Sequence, residues 1–139
     1  MTQLSKDFTL AEFTFSETAT RLGRNIVAPI HIVHALTLLC ETVLQPLRDH
    51  IKRPMIISSG YRPLWLNRIV GGSPTSDHIY GGAADVRAVG LTPYQLCEEA
   101  IKLQLPYKQV ILEFNRWMHI SISLDTPPRK EVLTAYIED

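Results

Sequence analysis

The sequence predicts a single α+β domain, because helical patterns dominate its first half and strand-like runs dominate its second half. Its 139 residues suit one domain, and we find no repeat, low-complexity tract or linker within residues 1–139. Apolar residues make up 45% of the chain and charged residues 20%, so a sizeable core is expected. The later strands follow one another closely, which favours antiparallel pairing.

Three helices are predicted in the first half of the chain. Thr9 followed by Glu12 is a capping-box pattern that opens a short helix over "TLAEF". A second short helix is predicted over "SETATRLG", closed by Gly23. The longest helix is predicted over "PIHIVHALTLLCETVLQPLRDHI", where apolar residues recur every three or four positions. Pro46 removes a backbone donor, so we expect it to kink or split this helix.

The second half alternates short strands with two further helical segments. The strands are predicted over "PMIIS", which we interpret as buried, and over "ADVRA", "QVILEF", "WMHISIS" and "EVLTAYI". A helical turn or two is predicted over "LWLNRIVGG", ended by Gly71. Thr92 as cap, Pro93 at the first helical position and Gln95 as box partner predict a helix over "TPYQLCEEAIKL".

Charge and composition exclude several classes of partner and place the chain in a reducing compartment. The 14 basic and 14 acidic side chains cancel, so nothing favours nucleic acid as a partner. No run of about 18 apolar residues is present, so we expect no membrane span. "MTQLSKDFTL" lacks the order of a secretion signal, so we expect cytoplasmic synthesis. Cys40 and Cys97 fall in apolar helical patterns and are interpreted as buried free thiols.

Three residues with metal-binding chemistry stand in or after a glycine-rich segment. His78 and Asp85 lie within "GGSPTSDHIYGGAADVRAVG", and His119 lies in "WMHISIS". Two imidazoles and one carboxylate, with a fourth position open to water, form the ligand set of a catalytic zinc site. Each residue also has an ordinary structural interpretation, as a turn histidine, a strand-end cap and a core histidine. His31 and His34 have no third ligand nearby and are interpreted as surface or packing residues.

The ordered segments "SSGYRPLWLNRIVGG", "SDHIYGGAADV" and "WMHISI" resemble the zinc D-Ala-D-Ala carboxypeptidase family, which shares its fold with the Hedgehog signalling domain. The closest likeness is to the phage-type peptidoglycan peptidase branch, and it covers nearly the whole chain. The resemblance implies a Hedgehog/DD-peptidase-like fold. In that fold an antiparallel sheet carries the metal site and helices pack against the sheet.

The resemblance also assigns site residues. It implies that His78, Asp85 and His119 hold one zinc ion. Arg62 of "SGYR" would stabilise the oxyanion that develops at the scissile carbonyl, and Ser76 would lie beside the substrate. Further pocket residues are less defined, because two aromatic side chains fit either the pocket wall or the core. These two are Tyr61 and Trp117.

The position of the general base differs from that in the best-known dipeptidases of this family, whose catalytic acid lies three residues before the second histidine. That position is Arg116, which cannot serve. The phage branch has a glutamate six residues before the histidine, which gives the role to Glu113, with Asp77 as a second candidate. A two-residue turn at Asn115 and Arg116 would point Glu113 away from His119. A three-residue loop, with Glu113 opposite His119, would restore the shared face.

The function that the resemblance implies is zinc-dependent hydrolysis of peptidoglycan stem peptides that contain D-amino acids. The enzyme would be a D-Ala-D-Ala carboxypeptidase or an endolysin-type endopeptidase, monomeric, and in a phage setting it would act on the host cell wall. The main alternative is a non-catalytic zinc-containing binding module of the same fold. A metal-free structural protein is a third possibility.

Overall fold

The computed structural model describes residues 2–135, in which helices and strands mix as an α+β domain requires. The strands are β1 (Gln3–Ser5), β2 (Phe8–Thr9), β3 (Met55–Ser59), β4 (Ala83–Ala88), β5 (Gln109–Glu113), β6 (Trp117–Ser121) and β7 (Glu131–Ala135). The α-helices are α1 (Leu10–Phe13), α2 (Glu17–Arg21), α3 (Ile30–Leu39), α4 (Gln45–Ile51), α5 (Leu64–Ile69) and α6 (Pro93–Lys102). A π-helical turn (Cys40–Leu44) joins α3 to α4, and a 3-10 turn (Asp77–Tyr80) precedes β4.

The main sheet has five strands in the order β3-β4-β6-β5-β7. Its first four strands pair antiparallel, as predicted, but β7 pairs parallel to β5. The end of β6 at Ser121 lies opposite the start of β5 at Gln109. The chain that leaves β6 therefore reaches the far side of β5 at the same end, and β7 runs in the direction of β5. The last predicted strand extends past residue 135, and that part lies outside the described residues.

The two faces of the sheet differ in polarity, and this difference positions the site. One face is buried against the helices, with side chains from the π-helical turn, α3, α4 and α6 in the same apolar core. The buried sheet residues on that face include Met55, Ala84, Val86, Ala88, Val110, Leu112, Met118 and Ile120. The opposite face carries alternate residues of the same strands, among them Asp85, Glu113 and His119, which are only partly buried.

The long helix changes its winding directly before Pro46. Over Cys40–Leu44 the backbone hydrogen bonds follow the i to i−5 spacing of a π-helix, and the N–H of Gln45 donates to the carbonyl of Cys40. A proline has no N–H, and its ring crowds the carbonyl four residues earlier. The predicted disturbance is confirmed, and it takes the form of a widened turn within a continuous helix.

The continuous helix Ile30–Ile51 is long and apolar enough, by length and composition alone, to cross a membrane. Five of its apolar side chains are completely buried in the domain core, namely Leu36, Leu39, Val43, Leu44 and Leu47. Packing within the domain therefore accounts for the apolar composition of this helix. The expectation that the protein has no membrane partner stays a prediction.

The burial predicted for "PMIIS" is wrong on one side of the strand. Met55 is buried, but Ile56 is 46% exposed. The strand lies at the edge of the sheet, so only one of its faces and one of its edges are covered.

The capping predictions hold at α1 and α6. Glu12 accepts from the backbone N–H of Thr9 at 2.7 Å, and Thr92 accepts from the N–H of Gln95 at 3.1 Å.

Candidate metal centre

The three predicted ligands come from two paired strands and the turn that leads into one of them. His78 lies in the 3-10 turn, Asp85 in β4 and His119 in β6. Asp85 and His119 are direct partners across the antiparallel β4–β6 ladder. Paired residues of a ladder project from the same face, so the strand register itself brings the carboxylate to the second imidazole.

The potential ligand atoms of His78, Asp85 and His119 all lie within 4.8 Å of one another. Oδ1 of Asp85 is 3.3 Å from Nε2 of His78 and 3.1 Å from Nδ1 of His119. The two imidazole rings meet edge to face, with their centroids 5.2 Å apart. The structure therefore brings these three residues together, although the first and the last of them are 41 positions apart in the sequence.

His78 is held in one orientation by Gly60, the residue that follows β3. The N–H of its Nδ1 donates to the carbonyl of Gly60 at 2.8 Å, which leaves Nε2 pointing at Asp85. A backbone carbonyl on the remote ring nitrogen is a typical outer-shell partner of a metal-bound histidine. Gly60 is tightly confined, since a Cβ at this residue would lie 2.6 Å from Cα of Phe13.

Asp85 is ionised at neutral pH. Burial alone would raise the pKa of this carboxyl, but hydrogen bonds with His119 and His78 outweigh burial and hold the pKa well below its usual range. A carboxylate must be deprotonated to bind a metal. Two imidazole nitrogens and one carboxylate oxygen, together on one side of an open cleft, fit the donor set of a zinc ion with a free coordination position.

Glu113 lies on the same face of the sheet as His119, and the register explains why. The loop between β5 and β6 has three residues, 114–116, and it places Glu113 opposite Trp117 and Ile111 opposite His119. The loop thus has the three residues of the second alternative, although Glu113 pairs with Trp117 and not with His119. Because Glu113 is two residues beyond Ile111, its side chain still projects to the face of His119.

The loop needs left-handed backbone at two positions, which the sequence did not reveal. Phe114 and Asn115 have φ angles of 54° and 56°, and the N–H of Arg116 donates to the carbonyl of Glu113 at 2.8 Å. Glu113 is partly buried as a result. Burial raises the pKa of its carboxyl, and the charge of His119 opposes that shift.

Asp77, the second candidate for the base, is engaged elsewhere. Both of its carboxylate oxygens accept from Nζ of Lys108, at 2.9 and 3.1 Å. Arg116 is exposed on the β5–β6 loop. Of the two candidate acids, Glu113 is therefore the one without a lysine partner in the described part of the chain.

Arg62 and Ser76 lie beside the three ligands. Nη2 of Arg62 is 3.5 Å from Oγ of Ser76, and Ser76 accepts from the backbone N–H of His78 at 3.2 Å. Nε of Arg62 is buried and has no hydrogen-bond partner among residues 2–135. Burial lowers the pKa of this guanidinium, and the charge of Asp85 raises it. The guanidinium lines the metal cleft, where a fixed cation can bind a carbonyl or carboxylate oxygen.

The two aromatic candidates lie in different places. Tyr61 is mostly buried and belongs to the core cluster. Trp117 lines the cleft, where its ring packs edge to face against Phe114 at a centroid distance of 5.8 Å. The cleft has a volume of about 500 Å³ and contains the three ligands, Glu113, Arg62 and Ser76 in its wall.

One positioning residue was missed by the sequence analysis. Asn67 is only 2% exposed, its side-chain amide donates to the carbonyl of Ser73 at 2.9 Å, and its backbone carbonyl accepts from Gly72. It fixes the glycine-rich loop that leads to Ser76. The signal was a polar residue in the apolar run "LWLNRIV", where a buried asparagine requires partners.

Two histidines and one aspartate that converge in one cleft, with a glutamate in the same cleft, are the ligand set and proton acceptor that metal-dependent hydrolases use. The comparison with family models specifies the class further. The Peptidase M15 model matches residues 6–121, and the chain belongs to this family, which is the zinc D-Ala-D-Ala carboxypeptidase family. The predicted family and fold class are thus confirmed, and membership implies a zinc peptidase of cell-wall peptides. No curated protein matches the chain.

Proposed function

We propose that this protein is a zinc-dependent endopeptidase that cleaves D-amino-acid-containing stem peptides of peptidoglycan. The observation that carries the proposal is the convergence of His78, Asp85 and His119 in one cleft, with Glu113 on the same face. The family contributes the substrate class. A second cavity shares Asp85 and Trp117 with the cleft, and a peptide that occupied both cavities would extend to both sides of the metal centre, which favours cleavage within a chain.

His78, Asp85 and His119 would hold the ion through Nε2, Oδ1 and Nδ1. A zinc ion held there supplies Lewis acidity to the scissile carbonyl and acidifies water. Glu113 would accept the proton of the attacking water and then return it to the leaving amine. Its partial burial suits a group that must gain and lose a proton during one turnover.

Arg62 and Ser76 would bind the substrate beside the metal centre. The guanidinium of Arg62 is partly buried, lines the metal cleft and lies next to the hydroxyl of Ser76. This arrangement suits the oxygen of the scissile carbonyl, on which negative charge grows during attack. Trp117 offers an apolar wall for the peptide in the same cleft.

A second candidate function is a non-catalytic, zinc-containing binding module. One observation favours it: Arg116 stands where the best-known dipeptidases of the family have their catalytic acid. We propose the enzyme instead, because Glu113 offers a carboxylate on the face of His119. A monomer, a phage origin and action on a host cell wall belong to the same proposal.

The test is a digest of purified muropeptides by the zinc-loaded protein, analysed by mass spectrometry. We expect chelator-sensitive cleavage within the stem peptide. A Glu113→Gln variant, which keeps the size of the side chain, serves as the inactive control. Release of a terminal D-amino acid alone would identify a carboxypeptidase. A zinc-loaded protein that binds muropeptides and leaves them intact would identify the binding module.

A further inference from the structure

The open face of the sheet carries a second row of residues next to the metal row. Asp85 and His119 are paired across β4 and β6. Arg87 follows Asp85 by two positions and Trp117 precedes His119 by two, so Arg87 and Trp117 occupy the neighbouring row on the same face. Two residues of a strand span about 6.5 Å. Arg87 therefore lies one row away from the metal ligands, and its side chain lines a cavity together with Asp85.

A cavity of about 550 Å³ lies over this second row. Its lining residues come from β3, β4, the β5–β6 loop and β6, and they are Ser58, Ser59, Asp85, Arg87, Arg116 and Trp117. Asp85 and Trp117 also line the metal cleft, so the two cavities are adjacent, and we call the pair the groove. We call the part of the groove lined by Arg87 and Arg116 the arginine subsite.

Among residues 2–135, no carboxylate forms an ion pair with the two arginines of the arginine subsite. Arg87 and Arg116 are both exposed, and within residues 2–135 neither forms an ion pair or a side-chain hydrogen bond. In the described part of the chain, the one carboxylate in the wall is that of Asp85, which already pairs with two imidazoles. By contrast Lys108, which lines a different cavity, is paired with Asp77.

We propose that Arg87 and Arg116 bind a carboxylate of the peptide substrate and so select acidic peptides. The inference rests on the proposed peptidase function and adds a specificity-determining site to it. A guanidinium forms paired hydrogen bonds with a carboxylate, and an adjacent indole ring gives the peptide an apolar contact. Ser76 and His78 line the metal cleft but not the arginine subsite. The carboxylate bound at the arginine subsite is therefore separate from the scissile carbonyl, which would bind beside Ser76.

The test uses synthetic D-amino-acid peptides in which each carboxylate is converted to an amide, one at a time. For the wild type, amidation of the recognised carboxylate should lower kcat/KM by about 10- to 100-fold, as loss of a charge-assisted pair does. Amidation at the C-terminus and amidation of a side chain are separate arms, and they identify the source of the carboxylate.

The variants Arg87→Gln and Arg116→Gln should cleave acid and amide peptides with nearly equal kcat/KM. Arg129→Gln removes an exposed arginine outside the groove and should keep the preference of the wild type. Melting temperatures show that each variant is folded. Equal cleavage of acid and amide peptides by the wild type, or an unchanged preference in both groove variants, would overturn the proposal.

Peptide binding to the Glu113→Gln variant, measured by calorimetry, separates this inference from the proposed function. Preferential binding of the acid peptide, lost in the double variants that also carry Arg87→Gln or Arg116→Gln, supports the subsite even if the wild type cleaves nothing. A wild type that cleaves with no carboxylate preference keeps the peptidase and rejects the subsite.

Discussion

Asp85 and His119 face each other across the β4–β6 ladder, with Oδ1 of the aspartate 3.1 Å from Nδ1 of the histidine. The backbone hydrogen bonds of this ladder fix the relative position of two of the predicted metal ligands. The third ligand, His78, comes from a turn and is oriented by the carbonyl of Gly60. The result is a site with two ligands on a rigid sheet and one on a loop, which fits a preorganised metal centre.

Removal of one ligand should remove the metal and leave the fold. His119→Ala should bind no zinc and show no peptidase activity, while its circular dichroism spectrum stays that of the wild type, because His119 lies on the open face of the sheet. His34→Ala is the matched control, since His34 is exposed on α3. Zinc per chain, measured by elemental analysis after dialysis, checks the prediction. Cleavage by the His119→Ala variant would contradict the mechanism.

The identity of the base can be decided by a pair of amide variants. Glu113→Gln should lower kcat by about 10²- to 10⁴-fold and keep one zinc per chain, because the side chain acts on protons and not on the metal. Asp77→Asn should cost far less activity, since Lys108 already occupies that carboxylate. Steady-state kinetics on a muropeptide distinguishes the two. The reverse order of losses would assign the base to Asp77.

Gly60 should tolerate no side chain. In Gly60→Ala the methyl group would lie 2.6 Å from Cα of Phe13, and backbone atoms cannot move aside as side chains do. The shifted carbonyl would then lose His78, so we expect a lower melting temperature and roughly 10- to 100-fold weaker zinc binding. Gly82→Ala is the control, because its Cβ would meet nothing closer than 3.5 Å. Equal behaviour of the two variants would show that the Gly60 contact is unimportant.

The two thiols should be unreactive in the folded protein. Cys40 and Cys97 are buried, and burial raises the pKa of each from its ordinary value of 9.0 to about 12. Iodoacetamide at pH 8 should therefore modify neither thiol in buffer and both in urea, as counted by mass spectrometry. Rapid modification of the native protein would contradict the burial of the thiols.

The same thiols should make stability depend on alkaline pH. The folded protein holds these protons more tightly than the unfolded chain does, so their contribution is complete below pH 9 and is lost as the pH rises towards 12. Urea denaturation across this range should give a falling free energy of unfolding. A variant with both cysteines replaced by alanine should show a shallower decline. An identical decline in the two proteins would exclude the thiols as its cause.

Local signals in the sequence predicted the local structure well. Thr9 and Glu12, and Thr92 with Gln95, set helix starts through their own side chains. Pro46 forced a change of winding because it lacks an N–H, although the π form was not foreseeable from the residue alone. The set His78, Asp85 and His119 could be named because the surrounding motifs resemble a family. Composition and spacing by themselves left ordinary interpretations open.

Properties that depend on distant pairing could not be predicted. The parallel addition of β7 follows from where the chain emerges after β6, and the exposure of Ile56 follows from the position of β3 at the sheet edge. The cross-strand partner of Glu113 depended on left-handed backbone conformations at Phe114 and Asn115, which residues other than glycine seldom adopt. Arg87 gains its place beside the metal centre only once the β4–β6 register is known.

The most direct test of the site is anomalous diffraction at the zinc edge from crystals of the zinc-loaded protein. We expect one peak per chain, within about 2.0 to 2.2 Å of Nε2 of His78, a carboxylate oxygen of Asp85 and Nδ1 of His119. A well-occupied zinc peak elsewhere, with these three side chains left without metal, would contradict the account.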